Sequence, residues 1–203
     1  MSSGDRLQAA VSGPAGRCGK VPARRRVRVP LPARLLLLHF ALTAREHEVA
    51  YLRLRHIVEV EHGLEVDIRV SKIKPRKVKV PYGSRPSTCP VRAWRTWKAA
   101  ANLTDPDDFA FKPLHNRWHT PLPGGPDPET IGNIITELTA RAELLQRYTG
   151  HSPRRGAAEE SRRAGNDRKV IAKQGGWVEN SAAMEGYFEA GEGWEENAMI
   201  GVL

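Results

Sequence analysis

The chain has 203 residues, a formal net charge of +9 and a pI near 9.9. This length fits one ordinary domain with or without a tail, and the basic balance favours a polyanionic partner, nucleic acid ahead of an anionic membrane. Two cysteines cannot form a disulfide framework, and the longest apolar run, residues 35–42, is too short to cross a bilayer. No secretory signal pattern is present, so we expect a cytoplasmic protein with no membrane partner.

The basic residues are concentrated in two stretches. Residues 1–29 contain seven Lys or Arg and one acidic residue, and residues 71–98 contain nine Lys or Arg and no acidic residue. Residues 1–30 are also rich in Ser, Gly, Pro and Ala without periodicity, which is typical of a poorly ordered arm. We therefore expect a basic arm at 1–30 and one folded domain at 31–203.

Hydrophobic spacing predicts two helices followed by a small sheet. Dense apolar residues indicate a buried helix over Pro32–Ala44, and a shorter helix is expected from about Glu46 to Leu54. Alternating apolar residues then predict three antiparallel strands that share one apolar face. The residues expected on that face are Val58 and Val60, then Leu64, Val66, Ile68 and Val70, then Val78, Val80 and Tyr82.

The second half of the chain is predicted to be helical. Thr88 is a candidate N-cap for a helix through Ala101, residues 103–128 form a loop, and Pro128 opens the next helix. The apolar positions of that helix are Ile131, Ile134, Ile135, Leu138 and Leu144 or Leu145, and three short helices follow at Pro153–Gly165, Asp167–Gln174 and about Ser181–Glu189. This order predicts an α+β fold that is mostly helical, with one small three-stranded antiparallel sheet.

A His-x-x-Arg pair opens the first of these short helices. His151 and Arg154 are three residues apart, so both can project from one face near the positive N-terminal end of the helix, which suits a phosphate. Trp177 follows the next predicted helix after two glycines, and Tyr187 lies on the last predicted helix. Each of these residues alone is more often a packing or solvated side chain than a catalytic one, so their order along the chain carries the information.

Three further candidate residues precede this set in the chain. Arg45 and Glu48 open the second helix, and Lys72 lies on the basic turn of the sheet. Together with the downstream set, they resemble the catalytic domain of the tyrosine recombinases, the phage-integrase family, over about residues 33–203. The family motif at the first arginine is Arg-x-Ser-Glu, and His47 stands here in place of the serine.

The resemblance implies a covalent mechanism on DNA. Tyr187 would attack the scissile phosphate and become linked to the 3′ end, so that the energy of the broken bond is kept in the ester. Arg45 and Arg154 would hold the non-bridging oxygens, because a guanidinium grips two oxygens and never loses its charge. Glu48 would orient its neighbours.

The same resemblance assigns the proton transfers. Lys72 would protonate the leaving 5′ oxygen, and His151 would assist proton transfer at the nucleophile, because both side chains have tunable pKa values. The indole N–H of Trp177 would donate a hydrogen bond to the phosphate. No metal and no nucleotide cofactor is required.

The resemblance also implies partners and DNA contacts. The partners are double-stranded DNA and sister protomers that assemble on paired sites. The residues expected to contact DNA are Lys74, Arg76, Lys77, Lys79 and Arg155. Complete recombinases place a helical core-binding domain before the catalytic domain, and the short arm at 1–30 leads us to expect that this domain is missing.

Two alternatives to a working recombinase stay open. One is a truncated, non-catalytic remnant of an integrase that only binds DNA, and the other is a type IB topoisomerase, which uses a similar catalytic set. His115 and His119 have the spacing of two metal ligands on a helix, but they lie in a Pro/Gly-bounded stretch without a third ligand. We therefore interpret them as ordinary loop histidines.

Overall fold

The computed structural model describes residues 31–113, 115, 121–179 and 181–188. The predicted arm at 1–30, His119 and the segment from Glu189 onward lie outside these described residues. Within them the α-helices are α1 (Leu31–Leu42), α2 (Glu46–Ala50), α3 (Pro90–Ala100), α4 (Pro128–Arg141), α5 (Ser152–Arg163), α6 (Arg168–Gly175) and α7 (Ala182–Glu185). The strands are β1 (Ile57–Val60), β2 (Gly63–Ile68) and β3 (Arg76–Pro81). The predicted α+β class, mostly helical with a small sheet, is confirmed.

Helix α1 lies at the centre of the fold, and its leucine run explains why. Leu35, Leu36 and Leu38 are each 1% exposed, and the helix packs against α3 and α5. Burial on nearly all sides is what a helix without a polar face requires. The helix ends at Leu42, two residues before the predicted end, because Thr43 adopts a left-handed conformation with φ of +50°.

Helix α2 is shorter than predicted because the chain after it pairs with a distant loop. The helix ends at Ala50, and the backbone of Leu52 then accepts a hydrogen bond of 2.8 Å from the N–H of Ala110. The N–H of Leu54 donates to the carbonyl of Asp108 at 2.9 Å. These long-range bonds replace the helical bonds that would have continued to Leu54.

The three strands form an antiparallel meander in the order β1-β2-β3, as predicted. The apolar face was assigned correctly for Leu64, Val66, Ile68, Val78 and Val80, which are buried in β2 and β3, but was wrong in β1. The predicted Val70 and Tyr82 lie beyond the ends of β2 and β3 and are 47% and 38% exposed. Ile57 is opposite Val66 and is 6% exposed, whereas Val58 and Val60 are 53% and 38% exposed. Because side chains alternate along a strand, the register of Ile57 with Val66 turns the two predicted valines to the outer face.

Two helix ends also differ from the predictions. The N-cap of α3 is Cys89 instead of Thr88, and the Cys89 thiol is buried and accepts a hydrogen bond from the N–H of Gly83 at 3.2 Å. Helix α4 ends at Arg141, so Leu145 lies beyond it and is 95% exposed, although Leu144 packs against the core. The left-handed Glu143, with φ of +52°, breaks the helical spacing that the apolar pattern suggested.

Two hydrophobic clusters organise the described residues. The larger cluster, which we call the main core, contains residues of the four helices α1, α2, α3 and α4 and of the three strands. The smaller cluster, the C-terminal core, contains Ala158, Ile171, Ala172, Trp177, Met184 and Phe188 from α5 to the turn after α7. Polar side chains lie at the boundary between the two clusters, and we call this boundary, which contains Glu48, Arg76, Arg154 and Gln174, the seam. No described helix has the length and apolar character needed to cross a membrane.

Candidate active site

The seam is built around Arg154, which is 0% exposed on the first turn of α5. Its Nη1 donates hydrogen bonds to the carbonyl of Thr43, at the end of α1, and to the carbonyl of Gly175, at the end of α6. The guanidinium also lies over the ring of Trp177, 3.8 Å from its centroid. One side chain therefore holds three separate segments together, and its own orientation is tightly defined.

The other edge of the Arg154 guanidinium has no protein partner. Nε and Nη2 are buried and make no hydrogen bond to any residue that the structure describes. These two nitrogens form one side of the planar fork, the geometry that grips two oxygens of a phosphate or carboxylate. Burial, and next the charge of Arg45, lower the pKa of Arg154 to about 10, so it remains a cation at neutral pH.

Glu48 is the second centre of the seam and is 1% exposed. Its carboxylate accepts hydrogen bonds from both Nη atoms of Arg76, at 2.8 and 2.9 Å, and from the Ser71 hydroxyl at 2.7 Å. The backbone N–H of Arg45 donates a further bond of 2.8 Å. Burial alone would raise the pKa of Glu48, but these donors outweigh it and hold the pKa at about 2.

Arg45 is positioned by this carboxylate. It is the N-cap residue of α2, its side chain is 15% exposed, and its Nη1 contacts Glu48 at 3.3 Å. The positive charge of Arg45 is one of the causes that lower the pKa of Arg154. Two cations are thus held close enough to repel each other, and the charge of Glu48 compensates part of this repulsion.

Tyr187 reaches the site within the same chain. It is half-buried on the turn after α7, and its ring centroid is 5.3 Å from that of Trp177, at an interplanar angle of 58°. The guanidinium of Arg155 lies 5.5 Å from the centroid of the Tyr187 ring. Arg154, Trp177 and Tyr187 therefore form a continuous series of contacts.

Two glycines allow Trp177 to take this place. A Cβ atom on Gly175 would lie 1.9 Å from a ring carbon of Trp177, so the indole can pack there only against a residue without a side chain. Gly176 ends α6 in a left-handed conformation with φ of +69°, which glycine adopts without strain. The Gly-Gly-Trp pattern is thus a turn that places an indole beside an arginine.

Lys72 and His151 lie at the margin of the site. Both side chains are exposed. Lys72 follows Ser71, whose hydroxyl is bonded to Glu48, and His151 precedes α5 by one residue. The structure thus brings five of the seven predicted residues together (Arg45, Glu48, Arg154, Trp177 and Tyr187) and leaves the two proton-transfer candidates in solvent beside them.

The predicted DNA-contact residues separate into two groups. Lys74, Lys77, Lys79 and Arg155 are exposed, which a DNA contact requires. Arg76 differs, because its side chain is only 7% exposed and both ends of its fork are bonded to Glu48. This placement does not match the solvent-facing cation that the sequence suggested for Arg76.

Four residues of the seam were not identified from the sequence. Thr43 and Gln174 accept hydrogen bonds at their backbone carbonyls, which carry no sequence signal, Gln174 also donates from its side chain to the carbonyl of Ala41, and Ser71 is one hydroxyl among many. His39 is 0% exposed in α1, and its Nε2 lies 2.9 Å from the carbonyl of Ala44. Burial lowers the pKa of His39 to about 4, so this imidazole is neutral and Nε2 donates. A histidine inside a leucine run was the one available signal.

Other features of the described surface are less suited to chemistry. An open pocket of about 550 Å³ is lined in part by Arg53, Arg55 and Arg69. Arg55 and Arg69 are paired with aspartates, and Arg53 is bonded to the carbonyl of Asp107. His115 is exposed, and among the described residues no group of three or more His, Cys, Asp or Glu is arranged to hold a metal.

Comparison with known proteins rests on three-dimensional structure, because no family model and no curated protein sequence matches the chain. The fold matches XerA recombinase with a TM-score of 0.62 at 20% identity, covering 91% of this chain and 56% of that one. It matches a lambda integrase tetramer bound to a Holliday junction with a TM-score of 0.60 at 12% identity, covering 98% and 50%. The lambda integrase catalytic core matches with a TM-score of 0.52 at 12% identity, covering 89% and 91%.

These matches establish the fold of the chain. It is the fold of the tyrosine-recombinase catalytic domain, which confirms the expectation from the sequence. The chain spans 56% of the length of XerA recombinase and 50% of the length of the tetrameric integrase, but 91% of the isolated integrase catalytic core. The part that is shared is therefore the catalytic domain.

Proposed function

We propose that the chain cuts and rejoins DNA at specific sites through a covalent bond between Tyr187 and the 3′ phosphate. The observation that carries this proposal is the Nε–Nη2 edge of Arg154, to which no described residue is hydrogen-bonded and which is buried next to Trp177 and within two ring contacts of Tyr187. Buried donors without partners are rare in folded proteins and call for an explanation. A phosphate oxygen pair satisfies both donors.

The proposed reaction balances without an external energy source. The phenolic oxygen of Tyr187 attacks phosphorus and loses its proton, with His151 assisting that transfer, and the bond to the 5′ oxygen breaks. Lys72 supplies the proton that completes the leaving 5′ hydroxyl. The phosphodiester is exchanged for a phosphotyrosine ester, so that attack by another 5′ hydroxyl reverses every step and joins the strands.

The two arginines stabilise the charge that builds on the non-bridging oxygens. Preorganised cations are effective because they are already oriented before the reaction. Arg154 is oriented by its bonds to Thr43 and Gly175, and Arg45 is oriented by Glu48. Since Nε and Nη2 of Arg154 are buried, a phosphate reaches them only after neighbouring side chains move, and DNA binding is expected to cause this movement.

The proposed partners follow from what the neighbours of this fold do. A lambda integrase dimer is bound to a core site, and XerH recombinase is bound to its difH substrate. We extend these partners to this chain as a proposal: double-stranded DNA, and sister protomers that bring two sites together. The exposed lysines of the β2–β3 loop and β3 support the contact with DNA.

The decisive experiment looks for the covalent adduct. The protein is incubated with a pool of nicked duplexes of random central sequence, and DNA that stays attached under denaturing conditions is recovered and sequenced. The wild type and Tyr51→Phe, which alters an exposed tyrosine at the end of α2, are expected to form the adduct, and Tyr187→Phe is expected to form none.

Each other outcome contradicts a defined part of the proposal. Equal adduct with Tyr187→Phe means that the nucleophile is another residue. No adduct from any duplex, combined with salt-sensitive binding, means that the chain is a non-catalytic DNA-binding remnant. Relaxation of supercoiled plasmid without a preferred sequence indicates topoisomerase activity instead of site-specific recombination.

A further inference from the structure

We infer that Arg76 is a positioning residue that holds the catalytic elements in register across the seam, and that it does not bind DNA. The inference rests on the proposed function, because it concerns the same site. It starts from an arginine at the beginning of β3 whose neighbours Lys77 and Lys79 are exposed while its own side chain is 7% exposed.

The contacts of Arg76 join segments that are far apart in sequence. Its two Nη atoms bind both carboxylate oxygens of Glu48, and its Nε donates to the carbonyl of Gln174 at 3.2 Å. Its Cδ packs so closely on Gly176 that a Cβ there would lie 2.8 Å away. All three side-chain nitrogens are therefore used within the protein, which leaves no free edge for a phosphate.

Each segment that Arg76 touches carries a proposed catalytic residue. Glu48 fixes the N-terminus of α2 and hence Arg45, and it also binds Ser71, the residue before Lys72. The Gln174–Gly176 turn ends α6, supplies the Gly175 carbonyl that binds Arg154, and leads directly to Trp177. A shift of this one guanidinium would therefore move both phosphate-binding arginines and the indole relative to each other.

Arginine is required here for a geometric reason. Its planar fork bonds two carboxylate oxygens while Nε points elsewhere, whereas a lysine ammonium offers three donors on a single atom. Arg76→Lys keeps the charge that a buried carboxylate needs but loses the simultaneous bonds to Glu48 and Gln174. The variant is expected to fold and to misplace the site.

The experiment compares the cleavage rate at saturating DNA with DNA affinity. For Arg76→Lys we expect the rate of adduct formation at saturation to fall about 10²-fold, the loss typical of a misplacement near 1 Å. Its Kd for the same nicked duplex is expected to change less than about threefold, with an unchanged slope of log affinity against log salt concentration. Lys77→Ala provides the contrast of an exposed cation, with weaker binding and a slope reduced by about 0.9.

Arg95→Lys is the matched control. Arg95 makes the same kind of bond to a carboxylate, Glu59, but both side chains are at the surface, 49% and 41% exposed, and outside the seam. The rate, Kd and salt slope are expected to stay as in the wild type.

Circular dichroism and thermal unfolding check that every variant is folded. If Arg76→Lys does not fold, the uncharged pair Glu48→Gln with Arg76→Gln replaces it, with the same rate loss and unchanged Kd expected.

A readout without catalysis separates this inference from the proposed function. Amide hydrogen exchange over residues 174–178 is expected to be faster in Arg76→Lys than in the wild type, with residues 90–100 unchanged. If the wild type forms no adduct, the proposed function fails, and the exchange rates and salt slope still decide the inference. Because a lysine could still contact a phosphate, the salt slope that decides the inference is that of the uncharged Glu48→Gln, Arg76→Gln pair. A lower slope for that pair, or unchanged exchange at 174–178 in Arg76→Lys, would overturn the inference.

Discussion

At the scale of single residues, three arginines of the seam differ in what surrounds them. Arg45 is 15% exposed at a helix N-terminus, Arg76 is bonded on all its nitrogens, and Arg154 is buried with one edge unbonded. We propose that the edge of Arg154 to which no described residue is bonded binds a phosphate, and that Arg76 acts as a structural connection. Chemical type alone does not distinguish these roles, because burial and partners decide them.

Arg154→Lys tests whether the guanidinium of Arg154 binds the phosphate, as we propose. A lysine keeps the positive charge but cannot reproduce the Nε–Nη2 fork, so we expect the rate of adduct formation to fall by about 10²-fold or more. The measurement is the cleavage rate on a saturating nicked duplex. Arg163→Lys, at the exposed far end of the same helix, is the control and is expected to leave the rate unchanged. A loss of less than threefold for Arg154→Lys would contradict the assignment.

His39 gives a prediction about pH. Because burial lowers its pKa from 6.5 to about 4, the unfolded chain binds a proton between these values that the folded protein does not bind. The free energy of unfolding is therefore expected to fall as pH is lowered from about 6.5 to 4, by up to about 3 kcal/mol. The Glu48 contribution is lost in a lower window, between about 4.5 and 2.

Urea unfolding across this pH range tests the assignment to His39. His39→Gln keeps an N–H donor near the Ala44 carbonyl but cannot titrate, so the decline between pH 6.5 and 4 is expected to flatten. His62→Gln alters an exposed histidine in the β1–β2 turn and is expected to keep the wild-type decline. An unchanged profile for His39→Gln would show that another group causes the decline.

At the level of secondary-structure elements, the three residues at the end of α6 and just after it pack against both Arg154 and Arg76. Gly175 makes room for the indole of Trp177, and its carbonyl binds Arg154. Gly176 adopts a left-handed conformation and makes room for Arg76. The turn therefore connects the small C-terminal core to the main core, and changes in it are expected to affect both stability and activity.

Gly176→Ala tests whether position 176 requires glycine, and Gly165→Ala is the matched comparison. Gly165 also has a positive φ, +83°, but a Cβ there would meet nothing within 4 Å, so Gly165→Ala reports backbone strain alone, about 1–2 kcal/mol. Gly176→Ala adds the close approach of Arg76, and we expect the free energy of unfolding to fall by at least about 1 kcal/mol more. Urea denaturation measures both values, and equal losses would show that Arg76 adapts without cost.

At the scale of the whole molecule, the candidate site lies where two hydrophobic clusters meet. The main core and the C-terminal core are joined across the seam by the bonds of Arg76 to Gln174, of Arg154 to Thr43 and of Gln174 to Ala41. Gln174 contributes by donating from its Nε2 to the carbonyl of Ala41 at 2.9 Å. Polar groups at such a boundary can adjust when DNA binds, whereas close-packed apolar cores cannot adjust without loss of packing.

The distribution of exposed lysines predicts the salt dependence of DNA binding. Lys74 lies on the β2–β3 loop and Lys77 on β3, and both are exposed. Replacement of either one by alanine is expected to weaken binding equally on all sequences and to reduce the slope of log affinity against log salt by about 0.9 per lost phosphate contact. Fluorescence anisotropy between 50 and 200 mM salt, roughly the range over which such contacts weaken, measures it. Arg163→Ala is the control, and a slope that falls equally there would mean that overall charge is responsible.

The fold class, the strand order and the set of catalytic candidates could be predicted from the amino-acid sequence alone. Apolar spacing distinguishes helices from strands locally, and the order of Arg45, Lys72, Arg154 and Tyr187 along the chain can be read without a structure. The end of α2 and the buried face of β1, which were predicted wrongly, depend on contacts with other parts of the chain, whereas the helical spacing after α4 is broken by the left-handed Glu143. The 2.8 Å bond between Leu52 and Ala110 is one of these contacts.

Only the tertiary structure decided which cations are buried and what they bind. Arg76 stands in a basic stretch whose other members face solvent, and its partners are 28 and 98 residues away. Burial lowers the pKa of His39, whereas hydrogen bonds from Arg76, Arg45 and Ser71 lower the pKa of Glu48 against the effect of burial. Burial depends on how distant segments pack together, and local sequence patterns carry little information about that packing.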